Sequence, residues 1–515
     1  MSNNLAKSAF WLMVVTMLSK ILGFTRDIVL MYFYGTSAQS DIYVTAMNIP
    51  VVVFAAVGVA LSTTFIPLYQ EALENGGQKR AQIFANNILC IVSIISIFLS
   101  IFGYIFAEPI VKLFAISFTG EKLAMTVEFV RIIIVGVLFI GLSNIMTAYL
   151  QIQGNFTIPG MVQLPNNIII IISMVIGGIT GEFYILAVGA LIGMASQFLF
   201  QVPFAIKRGY KFKPVVNFKD KYFKKMIWLI LPVLIGVAVN QVNAMVDRSL
   251  ASSLGDGVIA ALNSANKLNF FVLGLFITSI GSVIYPTLSK LSTNNDNRKF
   301  ADAVSTSVNC VSLIILPITV GAIVLATPIV RILFERGAFD DKSTQMTAIA
   351  LICYSVGMIA YGLRDILSKV YYSLKDTKTP MINGIIAVVA NIFFDITLMK
   401  VFGLGGLALA TSLSSIICIL LLFRGLKKKM EYYGQDRIIR TFIKSLIASI
   451  VMGVATYFMY KLSSNILGVG FIQDVIATGI SVLVGAVVYG ILISKFKVRE
   501  VKMLKNMVMK KLKRA

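Results

Sequence analysis

Mostly apolar runs of about twenty residues or more recur from one end of the chain to the other, broken only by short polar connections. A helix needs about that length to cross roughly 30 Å of hydrocarbon, so each run predicts one spanning helix. Fourteen can be delimited: 9–34, 42–69, 81–107, 123–150, 158–180, 183–206, 226–250, 257–289, 300–326, 343–373, 379–402, 405–424, 441–461 and 469–494. The fifth and sixth are separated by little more than Gly177, Gly178 and Gly181. The first run is read as a retained span, because it contains Lys20, Arg26 and Asp27 and lacks a small-residue cleavage site after a short apolar core. The pattern therefore predicts an all-α polytopic membrane protein.

Two pairs of matching segments suggest an internal repeat. Phe65-Ile66-Pro67-Leu68-Tyr69 recurs loosely as Val283-Ile284-Tyr285-Pro286-Thr287-Leu288, and Gly154 to Pro159 recurs as Lys375 to Pro380. The offsets between prolines, 219 and 221, nearly agree. They divide the chain into a first lobe of six spans (1–206) and a second of six (207–424, opening on a basic linker, 207–225). A final part (425–515) holds two more spans and a basic tail. Six is even, so the lobes would form a parallel repeat with binding expected between them.

Composition agrees: of 515 residues 57% are hydrophobic and 13% charged, against about 25% charged in soluble domains. The net charge of +23 would suggest nucleic acid in a soluble protein, but here the placement of the charges excludes it. With both termini on the cytoplasmic side, the inner connections hold 32 of the 46 Lys and Arg residues and the outer ones 7, as basic retention inside requires. The basic tail (Lys495 to Arg514) is then a topology signal resting on anionic membrane lipid. Absence of His removes histidine metal sites and proton relays, and Cys90, Cys310, Cys353 and Cys418 form neither a disulfide framework nor a CxxC unit. No nucleophile elbow, zinc-protease motif or phosphate-binding glycine loop is present, so the chain reads as a transporter, not an enzyme, without a cofactor.

Ten charged residues fall inside spans, where each costs about 3 kcal/mol on insertion scales. Six are basic (Lys20, Arg26, Arg248, Lys267, Arg364, Lys369) and four acidic (Asp27, Asp247, Asp365, Asp395). The basic excess favours a cavity that receives an anion, with interhelical salt bridges as the structural alternative. Neighbours such as Arg26-Asp27, Asp247-Arg248 and Arg364-Asp365 point about 100° apart on a helix, which predicts that each finds its partner elsewhere. Arg131 and Asp41 lie nearer span ends, where snorkelling can account for them. Asn263, Asn266 and Asn269 around Lys267 suit sugar or phosphate oxygens, or serve as packing contacts. Asn391 and Asp395 share a helical face, Thr411 follows on the next span and Asp247 can close the group. These oxygen donors suit a hard monovalent cation, the alternative being an Asp395 pair with Arg248 or Lys369.

Four separated stretches resemble the MurJ (MviN) lipid II flippases. They are Ser19 to Ile28 (SKILGFTRDI), Asp247-Arg248 with Ala260-Ala261-Leu262-Asn263, Leu333 to Phe339 (LFERGAF), and Tyr372 to Pro380 (YSLKDTKTP). The resemblance implies a flippase of the bacterial cytoplasmic membrane. It would move undecaprenyl-pyrophosphoryl disaccharide-pentapeptide from inner to outer leaflet for peptidoglycan synthesis, with the last two helices forming a groove for the polyprenyl tail. The resemblance matches Arg26 to an arginine of the family's first span and Asp41 to its acidic residue entering the second. With Lys20 and Lys267, and with Asp27, Arg248, Asn266, Arg364 and Lys369 from the charge and amide reading, these are the candidate headgroup contacts. The resemblance also implies a sodium site of Asp247, Asn391, Asp395, Thr411 and the Leu407 carbonyl. Lys20 and Lys267 stand where the family has Arg, which keeps charge but loses the bidentate fork, and the family's span-two arginine has no counterpart between Val51 and Val59. Expected partners are lipid II, membrane lipids and proteins of wall synthesis, with the monomer as the working unit. Competing readings are an exporter of another polyprenyl-linked oligosaccharide, a drug/cation antiporter, which would favour an acidic cavity, and a scaffold for wall synthases, which leaves the buried charges unexplained.

Overall fold

The computed structural model describes residues 2–293, 296–468 and 470–502, and every regular element among them is helical. The tail beyond residue 502, including Arg514, lies outside the described residues.

In chain order the helices are α1 (Ser2–Tyr34), α2 (Ala38–Ile105), α3 (Ala107–Phe114), α4 (Gly120–Ile133), α5 (Gly136–Ile152), α6 (Thr157–Met161), α7 (Gln163–Thr180), α8 (Tyr184–Lys207) and α9 (Lys221–Ser252). There follow α10 (Val258–Thr293), α11 (Asn297–Val324), α12 (Ala326–Phe334), α13 (Asp341–Val356), α14 (Met358–Ser373), α15 (Lys378–Phe402), α16 (Leu404–Lys429), α17 (Gln435–Leu467) and α18 (Phe471–Lys495).

Each of the fourteen apolar runs falls on one helix, part of one, or a bent pair. Spans two and three lie in the long α2, interrupted at Gly77 (φ 66°, ψ −174°), where the left-handed φ suits a residue without Cβ. Span four is α4 and α5, span five is α6 and α7, and span ten is α13 and α14, which meet at 42° around Gly357. Among the described residues ten helices are long and apolar enough to cross a membrane, or eleven with that bent pair. Large apolar side chains lie on the outside (Trp228 76% exposed, Ile179 75%), as a lipid-facing surface allows and a water-facing one does not. The chain is a multi-pass membrane protein.

The chain forms two compact units. One comprises residues 1–260 with 336–339, the other residues 261–335 with 340–515. The division differs from the lobe boundary drawn at residue 206. Helix α9 opens the second lobe in sequence but packs against α2 and α3, and so belongs with the first unit.

In the first unit α2 packs on α4, α5 and α9, while α7 lies between α1 and α8. Gly193 of α8 comes so close to α7 that a Cβ would meet Asn166 Oδ1 at 2.8 Å, and Gly189, one turn earlier, meets Ser173. Small residues four apart let two helices approach where lipid offers no hydrophobic drive to pair them. In the second unit Leu288, Val304, Val308, Ile315, Ile366, Leu367, Val370, Leu422 and Leu426 form a core joining α10, α11, α14 and α16. Helix α17 packs against α11 and α18.

The repeat is visible in local structure. The short helices α3 and α12 each follow a span and pack on the next, and the spans that follow are each broken in the middle, at 134–135 and at Gly357. Asn155 N–H donates to Leu150 O (2.9 Å) and Gly154 N–H to Gln151 O (3.0 Å); 221 residues later Asp376 N–H donates to Tyr371 O and Lys375 N–H to Tyr372 O, both at 3.0 Å. Gly154 (φ 73°) and Lys375 (φ 58°) occupy the same left-handed position. Asn155 Oδ1 and Asp376 Oδ1 then cap the following helices through the amides of Ile158 (3.2 Å) and Thr379 (2.9 Å).

Candidate functional site

In the first unit, α1 carries Arg26 and Asp27 side by side. The expectation that these neighbours pair elsewhere is corrected here: Arg26 Nη2 and Nε donate to Asp27 Oδ1 at 3.1 and 3.4 Å. A long guanidinium arm can fold back across the angle between adjacent helical positions. The same group spends another donor on α7, where Nη1 reaches Asn167 Oδ1 at 3.2 Å. Asp27 is buried and Arg26 partly open. Lys20 lies exposed on the same helix.

Arg248 of α9 donates to Asn48 Oδ1 on α2 (2.8 Å), and Asp247 accepts from Asn243 (3.3 Å). Asn48 and Asn167 are site residues that the charge-based reading passed over. The signal available was the same desolvation argument, since an amide within an apolar run also needs a partner.

Asp41 does not face a cavity. It is fully buried, accepts the amides of Gly257 (2.7 Å) and Ala260 (2.9 Å), and pairs with Lys122 (3.1 Å), which also reaches Asp256 (2.6 Å). Its carboxylate satisfies the orphan donors where α10 begins, a structural role in place of the expected headgroup contact or snorkelling. Arg131 lies over the Tyr104 ring at 5.3 Å. The loop 336–339 joins this unit as well: Ala338 N–H donates to Tyr32 O at 2.8 Å, and Gly337 leaves room that a side chain would fill.

In the second unit, α10 and α14 line a cavity of about 880 Å³. Arg364, Asp365, Ser368 and Lys369 contribute from α14, Tyr285 and Thr278 from α10. Lys369 pairs with Asp365 one turn earlier, leaving Arg364 as the charge in excess in the lining. Apolar walls from Leu273 and Ile277 with a few charged groups suit an amphiphile carrying an anion. Asn266 and Lys267 sit half-buried on α10 one turn before the lining begins at Phe270. Asn269 is buried and donates to Tyr354 O (3.3 Å), a packing contact.

The candidate cation ligands of the second unit occupy α15 and α16. Asp395 is fully buried and Asn391 donates to its Oδ2 at 2.6 Å. Ser414 donates to Asn391 Oδ1 at 2.9 Å, and Thr411 Oγ1 to Leu407 O at 3.0 Å. The donors are all oxygen with a single carboxylate, and no cluster of three His, Cys, Asp or Glu occurs among the described residues. That chemistry fits a monovalent hard cation rather than zinc or calcium.

The family model "Lipid II flippase MurJ" matches residues 30–504. A Vibrio cholerae protein named "Probable lipid II flippase MurJ" is 30% identical over 445 residues, covering 84% of this chain and 85% of its own. A solved structure of a lipid II flippase MurJ in an inward closed conformation aligns with TM-score 0.81 at 30% identity, over 94% of this chain and 98% of the other. An inward-facing multidrug transporter of the MATE family, 14% identical with TM-score 0.66 over 82% of this chain and 98% of its own, shares the fold alone. Matched along nearly its whole length by both sequence and structure, the chain belongs to the lipid II flippase MurJ family.

Proposed function

We propose that the protein carries lipid II, undecaprenyl-pyrophosphoryl disaccharide-pentapeptide, from the inner to the outer leaflet of the bacterial cytoplasmic membrane for peptidoglycan synthesis. It works as a monomer with both termini in the cytoplasm. The observation that carries the reading is membership of the family over residues 30–504. The charges held at membrane depth agree with it: Arg26 among Asp27 and Asn167 in one unit, Arg364 and Lys369 on a cavity wall in the other. A pyrophosphate cannot cross hydrocarbon without replacement of its hydration, and guanidinium and ammonium donors supply that replacement. The polyprenyl tail needs no such help and stays in lipid. Transport is alternating access, in which the headgroup favours whichever conformation offers it the better contacts.

Asn391, Asp395, Thr411 and the Leu407 carbonyl would hold a sodium ion. When bound, the ion supplies a positive charge against the buried Asp395 carboxylate. The residues themselves keep that carboxylate oriented, through the Asn391 amide and the Ser414 hydroxyl behind it. Membrane lipids and wall-synthesis proteins complete the partners.

The decisive experiment is depletion of the protein in a wall-synthesising bacterium while outer-leaflet lipid II is measured. A fall in outer-leaflet lipid II with accumulation inside is expected. Unchanged outer-leaflet lipid II would assign the protein to export of another polyprenyl-linked oligosaccharide.

A further inference from the structure

A second polar cavity lies in the second unit, remote in sequence from the α10–α14 pocket and at the end where α11 and α17 begin. It measures about 680 Å³ and adjoins another of about 450 Å³, with which it shares Arg298, Ala301 and Tyr432. Four cations line it (Arg298, Lys299, Arg437 and Arg499), against one carboxylate in the lining, Asp302; Lys299 also pairs with Asp296 at 2.8 Å and Arg437 lies 3.8 Å from Glu500. The Asp302 carboxylate is a scaffold: it receives Arg437 Nη1 at 2.5 Å and Arg499 Nη1 at 3.0 Å and so sets two guanidinium groups side by side. Arg437 also donates to Thr306 (2.9 Å) and the Asp302 carbonyl (3.1 Å), and is held rigidly.

One helix N-terminus adds to the positive field. Helix α17 starts at Gln435, and its N-cap, Gly434, offers no side-chain acceptor to the first-turn amides, whereas the start of α11 at Asn297 is already capped by Asp296, which accepts the Lys299 amide at 3.1 Å. Gly434 has φ 81°, and a Cβ there would meet Ser305 Cβ at 2.6 Å, so this close junction requires glycine. Arginines set by a carboxylate beside an uncapped helix N-terminus at one cavity are the chemistry of a phosphate site.

The surroundings indicate which phosphate. Tyr432 is 58% exposed at the rim, and from the groove the flank of α17 continues as exposed Ile439 and Ile443. A soluble anion has no use for that apolar track, whereas the acyl chains of a phospholipid do. We propose that this groove binds the phosphodiester headgroup of an anionic phospholipid, whose chains run along α17. The inference stands independently of which substrate is transported.

The test uses the full-length protein purified in neutral detergent, with phosphatidylglycerol, phosphatidylcholine or inorganic phosphate added. Melting temperature and lipid adducts by intact mass are read together. Phosphatidylglycerol should raise the melting temperature more than phosphatidylcholine does, and Arg298→Gln combined with Arg499→Gln should reduce its adducts threefold or more. Arg298→Gln alone leaves the Asp302 scaffold in place and should lower the adducts in the same direction. Unchanged adducts in both variants would overturn the proposal. So would inorganic phosphate matching the effect of phosphatidylglycerol, because the site would then serve a soluble anion.

Discussion

Arg26 touches both an acid and an amide, and the two contacts predict different consequences of its loss. Breaking a buried pair costs about 3–5 kcal/mol, mostly because the partner is stranded. Arg26→Ala should therefore destabilise the protein, and adding Asp27→Asn should restore much of that stability. If Arg26 serves the anion, transport stays at least tenfold down in the double variant; recovery of transport along with stability would make the residue a structural pair only. Asp395 poses a cleaner question, since Asp395→Asn keeps shape and removes charge. Sodium at about ten times its Kd should stabilise the wild type by about 1.4 kcal/mol, and that gain should vanish in the variant. Equal stabilisation of the wild type by a bulky organic cation at the same ionic strength would exclude the site. The sequence displayed these charges because charge in an apolar run is conspicuous. It displayed Asn48 and Asn167 less plainly, because an amide in an apolar run also serves as helix glue, and it did not display the burial of Asp41, which depends on backbone amides more than 200 residues away.

The two repeated turns offer a natural comparison at the scale of elements. Both demand a left-handed residue, which costs a side chain about 1–2 kcal/mol, yet one holds Gly154 and the other Lys375. Lys375→Gly should stabilise the protein by about 1 kcal/mol and Gly154→Ala should destabilise it by a similar amount, both measurable by thermal or denaturant unfolding. A loss of stability in Lys375→Gly would mean that the lysine side chain holds the turn by contacts of its own. Beside it Asp376 has its carboxyl pushed up by burial, but the Thr379 hydroxyl and amide and the Lys429 ammonium outweigh that and hold it at about 2. The capped turn thus remains ionised throughout the neutral range. Spans were legible because twenty apolar residues admit few structures in lipid. The breaks at 134–135 and Gly357 were not, since a bend keeps the same composition. Helices α3 and α12, of 8 and 9 residues, were too short for a search based on spanning length. Their shared Pro-Ile-Val followed by a cation, at 109–112 and 328–331, was a readable third instance of the repeat.

For the whole molecule, the proposed orientation rests on the uneven distribution of basic residues. In a background freed of Cys90, Cys310, Cys353 and Cys418, single cysteines at positions 219 and 342 should react with impermeant reagent from opposite faces of the membrane. Lys342→Cys is preferable to a cysteine at Gly337, because the former side chain is exposed and the latter position is left-handed and filled against Tyr32. Labelling of both from one face would overturn the topology. The lobe boundary was the part of the architecture least accessible from sequence, since the repeat marks where a duplicated segment starts but not which neighbours its first helix prefers. The membership of residues 336–339 in the first unit bears on synthesis. Its other residues end at Ala260, so a ribosome adding about 5–20 residues per second needs roughly 4–15 s more to deliver the missing loop. During that interval the nascent first unit must wait in the bilayer with the Tyr32 carbonyl uncovered, and it reaches its final form only after much of the second unit has been inserted.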